Sequence, residues 1–528
     1  MSIDDTTIQT VIARGDANEQ GWCELRNAPG EDYTATPPTG EVLGCLWHLS
    51  DLHICDAESP SRLEYLDRYS DPDSEFREEL GDIGTYRPQE ILTIHVALAM
   101  IETVNATKIA PVSGATIDAV LITGDLTDNA QKNELHWYET LLEGGVIASK
   151  SGDRDRSSWV GVSDAATWDD RYWHPDGPPA GLPPDRPSGI YGYPMVPGLI
   201  EAARQDVTSP GLALPWFSVH GNHDALLQGT VAPTPALREL SMGSARITGL
   251  PHGRTPADFD IKSSVAPNGP ATYPHDMTSP FVSITADADR DFVGPAEFAR
   301  TTRLFKSTSM HERNYYTSEI GQLVLITLDT VNPHGGWQGS IDSDQCAWLV
   351  RQLERNRDRY IVIASHHPSP CLTNAFTPMN EPPRVLRAEL MGILHSHNNV
   401  IAWLAGHVHH HAALWHQEGS HGFWEITTSS LIDWPQQGRV IEFLRVSDRQ
   451  TPEIAIISTV INHAGPTAAD YRDLSRPKSL ASISRTLAAN DYRLRGSSLR
   501  GLTLDSSPEV RNTVWRLPDP HFTEATAR

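Results

Sequence analysis

The sequence predicts an α/β fold in which two packed β-sheets are flanked by helices. Short runs of apolar or β-branched residues recur along the chain, and each ends in a polar cluster. Amphipathic helical patterns lie between several of these runs. A later stretch contains three further apolar runs separated only by turn-like spacers, which is typical of neighbouring strands in a second sheet.

Six of the apolar runs have the length and flanking residues of buried strands that end at functional loops. They are residues 45–49 before Asp51, 119–123 before Asp125, 216–219 before Asn222, 323–328 before Asp329, 361–364 before His366 and 400–404 before His407. The later runs, 423–428, 440–446 and 454–460, are predicted to be adjacent strands of the second sheet.

Helical periodicity marks four segments between and after these runs. Apolar side chains recur three to four positions apart after Pro88, after residue 134, after Asp342 and again near residues 480–487. Pro88 can open the first of these helices, and Asp342 or Ser343 can cap the third. We therefore expect helices to alternate with strands, and polar clusters to lie at the strand ends.

The charge of the chain limits the partners that it can have. Of 528 residues, 42 are Lys or Arg and 67 are Asp or Glu, which gives a formal net charge of -25. A chain this acidic is not expected to bind long nucleic acid or an anionic membrane surface. A small phosphate ester can still bind if metal ions supply the positive charge.

Cysteine content and hydropathy indicate the cellular compartment of the protein. Five widely spaced cysteines favour a reducing compartment over a disulfide framework. The first ten residues lack a basic and apolar leader pattern, and no run approaches the roughly 20 apolar residues of a membrane helix. These features predict a soluble, cytoplasmic protein.

Composition suggests an N-terminal arm at residues 1–40, a central domain at 41–465 and a C-terminal extension at 466–528 that packs on the core. Within the central domain, about 150–210 and 233–300 are rich in Pro, Gly, Asp and Ser and lack periodicity. We interpret both intervals as long irregular insertions. They could form a lid or substrate wall, or they could be surface elaboration without function.

Five polar clusters carry the chemistry. They read D-L-H at 51–53, G-D-L-T-D at 124–128, G-N-H-D at 221–224, H-H-P at 366–368 and G-H-V-H at 406–409. Each is weak alone, but five in succession, each after a predicted strand, form a strong joint signal. Residues two apart on an extended segment point the same way, so Asp51 and His53 can bind one ion together, as can His407 and His409. Oxygen and imidazole donors without thiolate favour Mn, Fe or Zn.

This motif set resembles that of the calcineurin-like metallophosphoesterases, whose pattern is D-x-H, G-D-x-x-D, G-N-H-D/E, an H-x-P-type cluster and G-H-x-H. The match spans roughly residues 44–460. The resemblance implies a four-layer αββα sandwich of two mixed β-sheets flanked by helices, with a dinuclear metal site. It makes residues 41–465 the metallophosphoesterase domain, with the two irregular intervals as its insertions.

The resemblance also implies seven metal ligands and a cofactor of two divalent or trivalent ions, Mn, Fe or Zn. One ion would be held by Asp51, His53, Asp125 and His409. The second would be held by Asp125, Asn222, His366 and His407, with Asp125 bridging the two. His366 is preferred to His367 as the ligand, because the family pattern places proline two positions after it, where Pro368 stands.

Two catalytic residues follow from the same resemblance. His223 would face the scissile phosphate, and Asp128 would fix its ring and raise its basicity. Asp128 could instead cap the helix that follows it. Asp224 is expected to form the turn or to support the ligands.

Other segments refine the resemblance. Asp128 stands where purple acid phosphatases have a metal-binding tyrosine, which argues against a coloured iron centre. The segment from Leu328 to the motif QCAWL at 345–349 resembles bacterial class III cyclic-nucleotide and glycerophosphodiester phosphodiesterases. An additional stretch, residues 59–90, carries Arg62 and Arg87, which could neutralise substrate charge but are better explained by surface salt bridges.

Several histidines are expected to lie outside the metal site. His48 and His95 fall within a strand and a helix pattern, which favours packing roles in the core. His410 and His411 extend the last motif, and a supporting or solvent-facing position is expected for them.

The function implied is hydrolysis of a small phosphate ester, preferably a phosphodiester, by a metal-bridging hydroxide with His223 assisting the leaving group. A phosphomonoesterase is the main alternative. A metal-dependent nuclease is less favoured because of the acidic charge, and a non-catalytic scaffold because every ligand position is filled.

Overall fold

Two large mixed β-sheets form the centre of the protein, as a computed structural model of the chain shows. The structure describes residues 6–80, 86–152, 159–259, 275–301, 313–419, 421–447, 451–493 and 508–522. Parts of both predicted insertions and of the C-terminal extension therefore lie outside the described residues.

The strands follow the predicted apolar runs, with short additions between them. They are β1 (Thr10–Arg14), β2 (Leu25–Pro29), β3 (Glu41–Leu49), β4 (Ala119–Ile122), β5 (Gly145–Ile147), β6 (Val207–Ser209), β7 (Trp216–Ser218), β8 (Ala245–Ile247), β9 (Phe281–Ser283), β10 (Tyr316–Ile320), β11 (Leu323–Thr327), β12 (Tyr360–Ala364), β13 (Val400–Ala405), β14 (Ala412–Glu418), β15 (His421–Thr427), β16 (Gln437–Val446), β17 (Glu453–Asn462) and β18 (Thr513–Pro518).

The helices include all four that periodicity predicts. They are α1 (Arg77–Leu80), α2 (Thr93–Ala106), α3 (Lys132–Glu143), α4 (Arg186–Tyr191), α5 (Leu199–Ala203), α6 (Pro235–Met242), α7 (Pro295–Thr301), α8 (Ser343–Arg355), α9 (Arg387–His395) and α10 (Pro477–Ala489). As expected, Asp342 caps α8 by accepting a hydrogen bond from the backbone amide of Gln345.

The first sheet has the strand order β18-β17-β16-β3-β4-β7, and the second has the order β10-β11-β12-β13-β15-β14. Strands β3, β4 and β7 are parallel, and so are β11, β12, β13 and β15, whereas the remaining pairs are antiparallel. Both sheets are therefore mixed, as predicted.

The sheets pack face to face and are covered on their outer sides by helices. Apolar side chains between the sheets, such as Leu46 of β3 and Leu404 of β13, are fully buried. The outer face of the first sheet packs on α2, α3 and α10, and the outer face of the second packs on α8 and α9. This confirms the predicted four-layer sandwich.

One predicted strand lies in the other sheet. Residues 423–428 were expected beside 440–446 and 454–460, and β16 and β17 do pair as neighbours. Strand β15 instead runs parallel to β13 in the second sheet, so that part of the prediction is wrong. The apolar runs do not distinguish the two sheets, because the strands of both are buried on both faces. Residues 428–436 are also long enough to connect the two sheets, which lie about 10 Å apart.

The two irregular intervals pack around the sandwich, mostly without long elements. The interval 150–210 contains α4, α5 and β6 and contacts α10, while 233–300 contains α6, β8, β9 and α7 and contacts residues 59–90. Strand β18 extends the first sheet, and α10 packs on α2. All five cysteines are unpaired, and no helix among the described residues is long and apolar enough to cross a bilayer.

Candidate metal centre

The predicted ligands lie where parallel strands of both sheets end. Loops after β3, β4 and β7 bring Asp51, His53, Asp125 and Asn222 from the first sheet, and loops after β12 and β13 bring His366, His407 and His409 from the second. The carboxyl ends of parallel strands form the usual functional edge of an α/β sheet. Here the two edges face one another.

The backbone turns sharply at these ligands. The φ angle is +53° at Asp51, +46° at His53, +48° at Asp125, +70° at His407 and +57° at His409. The left-handed region is uncommon for residues other than glycine and tends to occur at functional sites, where the surrounding structure enforces it. The expectation of extended segments is therefore wrong for the pairs Asp51 and His53, and His407 and His409, because the backbone is left-handed at all four residues.

Glycine allows two of the loops to approach each other. A Cβ atom at Gly221 would lie 2.2 Å from Asp125 Oδ1. A Cβ atom at Gly406 would lie 1.9 Å from Ser50 Oγ and 2.6 Å from Asp51 Oδ2. Only a residue without a side chain fits this closely against the ligands.

Asp51, His53, Asp125 and His409 form the first cluster. Their donor atoms all lie within 4.8 Å of one another. His53 Nε2 lies 3.3 Å from His409 Nε2 and 3.6 Å from Asp125 Oδ2, and His409 Nε2 lies 3.3 Å from Asp51 Oδ1. Buried carboxylate and imidazole donors that face one another are suited to a divalent ion.

Asp125, Asn222, His366 and His407 form the second cluster. His366 Nε2 lies 2.9 Å from Asn222 Oδ1, 3.2 Å from Asp125 Oδ2 and 3.2 Å from His407 Nδ1. The same oxygen, Asp125 Oδ2, thus faces the imidazoles of both clusters. A carboxylate in this position can bridge two ions.

His366 presents Nε2 to this cluster, and His367 lies beside it. His366 Nδ1 donates to the carbonyl of Thr123 at 2.8 Å, which leaves Nε2 to face Asn222. Both ring nitrogens of His367 contact the protein, Nδ1 at 2.8 Å from Thr330 Oγ1 and Nε2 at 3.0 Å from the carbonyl of Trp337. One nitrogen of His367 nevertheless lies within 4.8 Å of donor nitrogens of His366 and His407, so the preference for His366 stays a prediction.

Hydrogen bonds on Nδ1 also orient the two imidazoles of the first cluster. His53 Nδ1 donates to Asp128 Oδ1 at 2.9 Å, and His409 Nδ1 donates to Asp433 Oδ2 at 2.7 Å. Such partners fix the tautomer, so that Nε2 keeps a lone pair for a metal. The sequence did not indicate Asp433 as a site residue, because it lies between β15 and β16 and belongs to no recognised motif.

The contacts of Asp128 differ from those predicted. Its carboxylate binds His53 and the guanidinium of Arg62, and it lies 4.0 Å from His223 Nδ1. His223 Nδ1 instead donates to the backbone carbonyl of Asp128 at 2.6 Å. The helix-cap alternative is also wrong, because Gln131 is the N-cap of α3.

His223 lies at the side of the cluster with part of its ring exposed. Its ring packs edge-on against His53 at 4.5 Å, and its backbone amide donates to Asp125 Oδ1 at 2.8 Å. The neighbouring Asp224 forms the turn, as expected, because Oδ1 accepts hydrogen bonds from the backbone amides of Leu126 and Thr127.

Burial and neighbouring charges shift the pKa values of these groups. Burial alone would raise the pKa of Asp125, but the imidazoles of His366, His223 and His53 together outweigh it and hold that pKa well below its usual range. Burial opposes protonation of His366 and His409, yet Asp125 and Asp51 respectively raise the pKa of each to about 9. For His407, burial dominates and lowers the pKa to about 3.

Arg62 and Arg87 are buried rather than at the surface. Arg62 is fully enclosed and contacts Asp128, and Arg87 pairs with Asp433 at 2.7 Å. The sequence expectation of surface salt bridges is therefore correct about the pairing and wrong about the location.

Trp337 is a feature of the site that the sequence did not reveal. Trp337 is 51% exposed. The centroid of its indole lies 5.8 Å from that of the His407 ring, with 19° between the ring planes. The carbonyl of Trp337 accepts a hydrogen bond from His367, which fixes the loop. An exposed aromatic surface therefore borders the second cluster.

The remaining histidines lie outside the two clusters. His48 is buried between Thr123 and Thr428, and His95 is buried in α2, as expected. His410 Nδ1 contacts the carbonyl of Val408, and His411 is buried against Arg439.

The donor set fits a pair of metal ions, and part of the chain matches a known family. Residues 196–411 match the family model of calcineurin-like phosphoesterases. The match covers 216 of the 528 residues, and a family of this kind implies a hydrolase with a dinuclear metal centre. The matched stretch contains Asn222, His223, His366, His407 and His409, whereas Asp51, His53 and Asp125 precede it.

The chain also shows low similarity to several solved structures. A dimetal phosphatase from Danio rerio is 12% identical, with 80% of this chain and 100% of that chain covered and a TM-score of 0.32. The sulfate thiohydrolase SoxB from Thermus thermophilus is 10% identical, with coverages of 85% and 61% and a TM-score of 0.29. The calcineurin-like phosphoesterase YfkN from Bacillus subtilis is 10% identical, with coverages of 85% and 98% and a TM-score of 0.27. No curated protein is detectably similar in sequence.

Proposed function

We propose that the protein hydrolyses small phosphodiesters at a dinuclear metal centre. The observation that carries this proposal is the position of Asp125 Oδ2, 3.6 Å from His53 Nε2 and 3.2 Å from His366 Nε2. One carboxylate oxygen between two sets of imidazole and oxygen donors is the arrangement that two adjacent ions require.

In this proposal the first cluster and the second cluster each hold one ion. Asp51, His53, Asp125 and His409 are the ligands of the first, and Asp125, Asn222, His366 and His407 are the ligands of the second. Ions bound there would neutralise charge on the ester and make water more acidic.

His223 is proposed to protonate the leaving oxygen. Its Nδ1 donates to the Asp128 carbonyl, so Nε2 is the nitrogen that would carry the transferable proton. The backbone amide of His223 donates to Asp125 Oδ1, and this hydrogen bond fixes the position of His223, the proposed acid, relative to the proposed bridging ligand. The carboxylate of Asp128 acts on His53 instead, and thus supports the first cluster.

Two observations favour a diester over a monoester. Both arginines beside the clusters, Arg62 and Arg87, are bound to carboxylates, which suits an ester with one negative charge better than one with two. Trp337 offers an apolar surface beside His407 where a second ester group can lie. A phosphomonoesterase remains the alternative outcome.

Elemental analysis and a paired substrate assay test the proposal. Purified protein loaded with Mn should bind two ions per chain and hydrolyse bis-p-nitrophenyl phosphate faster than p-nitrophenyl phosphate. Asp125→Asn should lose metal and activity, whereas His136→Ala, on the exposed face of α3, should keep both. Faster hydrolysis of the monoester would reverse the substrate preference, and metal-free inactive protein would refute the proposal.

A further inference from the structure

Residues 59–90 place an arginine against each side of the first cluster. Arg62 is fully buried, and its guanidinium contacts Asp128, Glu64 at 3.2 Å and Glu90 at 2.7 Å. A guanidinium this enclosed has its charge balanced by several carboxylates, and its geometry is fixed by them.

Arg87 makes the equivalent contact on the other side. Its Nε and Nη2 lie 2.7 and 3.1 Å from the two carboxylate oxygens of Asp433, which is a bidentate pair. The side chain of Arg87 is 9% exposed and that of Asp433 is 8% exposed. A bidentate pair shielded from water restricts the rotation of the carboxylate.

Each carboxylate in turn holds one imidazole of the first cluster. Asp128 accepts from His53 Nδ1 at 2.9 Å, and Asp433 accepts from His409 Nδ1 at 2.7 Å. Two relays, Arg62–Asp128–His53 and Arg87–Asp433–His409, therefore converge on the same four-residue cluster. In the second cluster, His366 is held by a backbone carbonyl instead.

Glu90 joins the two relays. Its Oε2 accepts hydrogen bonds from Arg62 Nη2 at 2.7 Å and from the backbone amide of Arg87 at 2.9 Å. The two arginines are thus held in one network, and the position of one constrains the other.

The irregular intervals support the segment from outside. Tyr172, from the interval 150–210, donates to the carbonyl of Glu64, and Arg246, from the interval 233–300, lies 3.5 Å from the Glu64 carboxylate. Leu63 and Leu66 pack in one apolar cluster with residues of the second interval, including Ile247.

We infer that residues 59–80 and 86–90 form a clamp on the first metal position, in which Arg62 and Arg87 are positioning residues that fix the imidazoles of His53 and His409. This inference deepens the proposed function and rests on it. The clamp sets the affinity of the first position, the second position does not depend on it, and the two irregular intervals hold the clamp in place.

The physical reason is that a hydrogen-bonded carboxylate orients an imidazole ligand and increases its basicity. Without the guanidinium, the buried carboxylate loses its fixed geometry and turns away or takes up a proton. Lysine keeps the charge but cannot form the bidentate contact, so it restores only part of the effect.

Metal titration of Arg87 variants tests the inference. Protein stripped of metal is titrated with Mn by calorimetry, and wild type should show two sites. Arg87→Gln should weaken the first site by about 10–100-fold and leave the second unchanged, with Arg87→Lys intermediate. Arg351→Gln, on the exposed face of α8, is the matched control. Equal weakening of both sites, or no change at either, would overturn the inference.

Two further measurements separate positioning from a general loss of structure. Excess Mn should restore the kcat of Arg87→Gln, and the absorption spectrum of the Co-loaded variant should differ from that of wild type at limiting Co. If circular dichroism shows that Arg87→Gln is unfolded, Asp433→Asn takes its place in the titration. The same loss of Mn affinity is then expected at the first site alone. Wild type that binds no metal would refute the proposed function itself, whereas two unaffected sites refute only the clamp.

Discussion

Replacing Gly221 by alanine should disable the site without unfolding the protein. Gly221 has φ −108°, which alanine adopts readily, so the substitution introduces no backbone strain. The new Cβ would lie 2.2 Å from Asp125 Oδ1 and 2.3 Å from the Asp125 backbone nitrogen. A relaxed contact between such atoms needs a little over 3 Å, so the two loops must separate by about 1 Å.

A shift of this size acts directly on the proposed bridging ligand. Asp125 Oδ1 also accepts the backbone amide of His223 at 2.8 Å, so both residues should move. A displacement of about 1 Å at a catalytic site can lower the rate about 100-fold. We expect Gly221→Ala to lose about that much in kcat/KM with bis-p-nitrophenyl phosphate, together with part of its metal.

The matched control is Gly392→Ala in α9. A Cβ at Gly392 meets no heavy atom within 4 Å, so this variant should keep full activity and gain about 0.5–1 kcal/mol of stability. Activity is measured with excess Mn, metal content by elemental analysis and folding by circular dichroism. The reasoning is refuted by a Gly221→Ala protein that keeps wild-type metal content and a kcat/KM within about threefold of wild type.

Three further predictions concern the proton donor, the exposed indole and the protons of the ligands. His223→Ala should keep its metal yet lose about 10²–10⁴-fold in kcat, and an unchanged kcat would exclude it as the acid. Trp337→Ala should lower kcat/KM for an aryl diester more than for a glycerol diester, with Trp337→Phe close to wild type; equal losses would contradict stacking. Because His366 and His409 have pKa values raised to about 9, they carry protons at neutral pH and must release them to bind metal. Mn affinity should therefore rise with pH up to about 9, and calorimetry in two buffers of different ionisation enthalpy should detect proton release at pH 7.

The location of the strands along the chain, and of the polar residues that follow them, was accessible to sequence analysis for a physical reason. Buried parallel strands read as apolar runs, and the polar residues that follow them must lie at one edge of the sheet. That logic holds for Asp51, Asp125 and His407. It fails for β15, because the sequence of a buried apolar strand does not show which of two buried sheets the strand belongs to.

The contacts around the ligands could not be obtained in this way. Asp128 is the last residue of its motif, but whether its carboxylate or its carbonyl faces His223 depends on the turn at Asp125, where φ is positive. Asp433 and Arg87 belong to no periodic pattern and meet only because the chain crosses between the sheets near residue 433. Long-range polar contacts of this kind are properties of the folded chain rather than of local sequence.

The charges around the two clusters explain how such a centre can be buried before metal binds. Four carboxylates, Asp51, Asp125, Asp128 and Asp433, lie almost out of contact with water, and isolated buried anions are costly. The guanidinium groups of the clamp face Asp128 and Asp433. The imidazoles of His366 and His409, whose pKa values are raised, face Asp125 and Asp51. If ions bound there, the His366 and His409 imidazoles would release their protons and the ions would supply the positive charge instead, whereas the guanidinium charges would stay. Removing an arginine should therefore act on the protein with and without metal, while changing pH should act mainly on the metal-free protein.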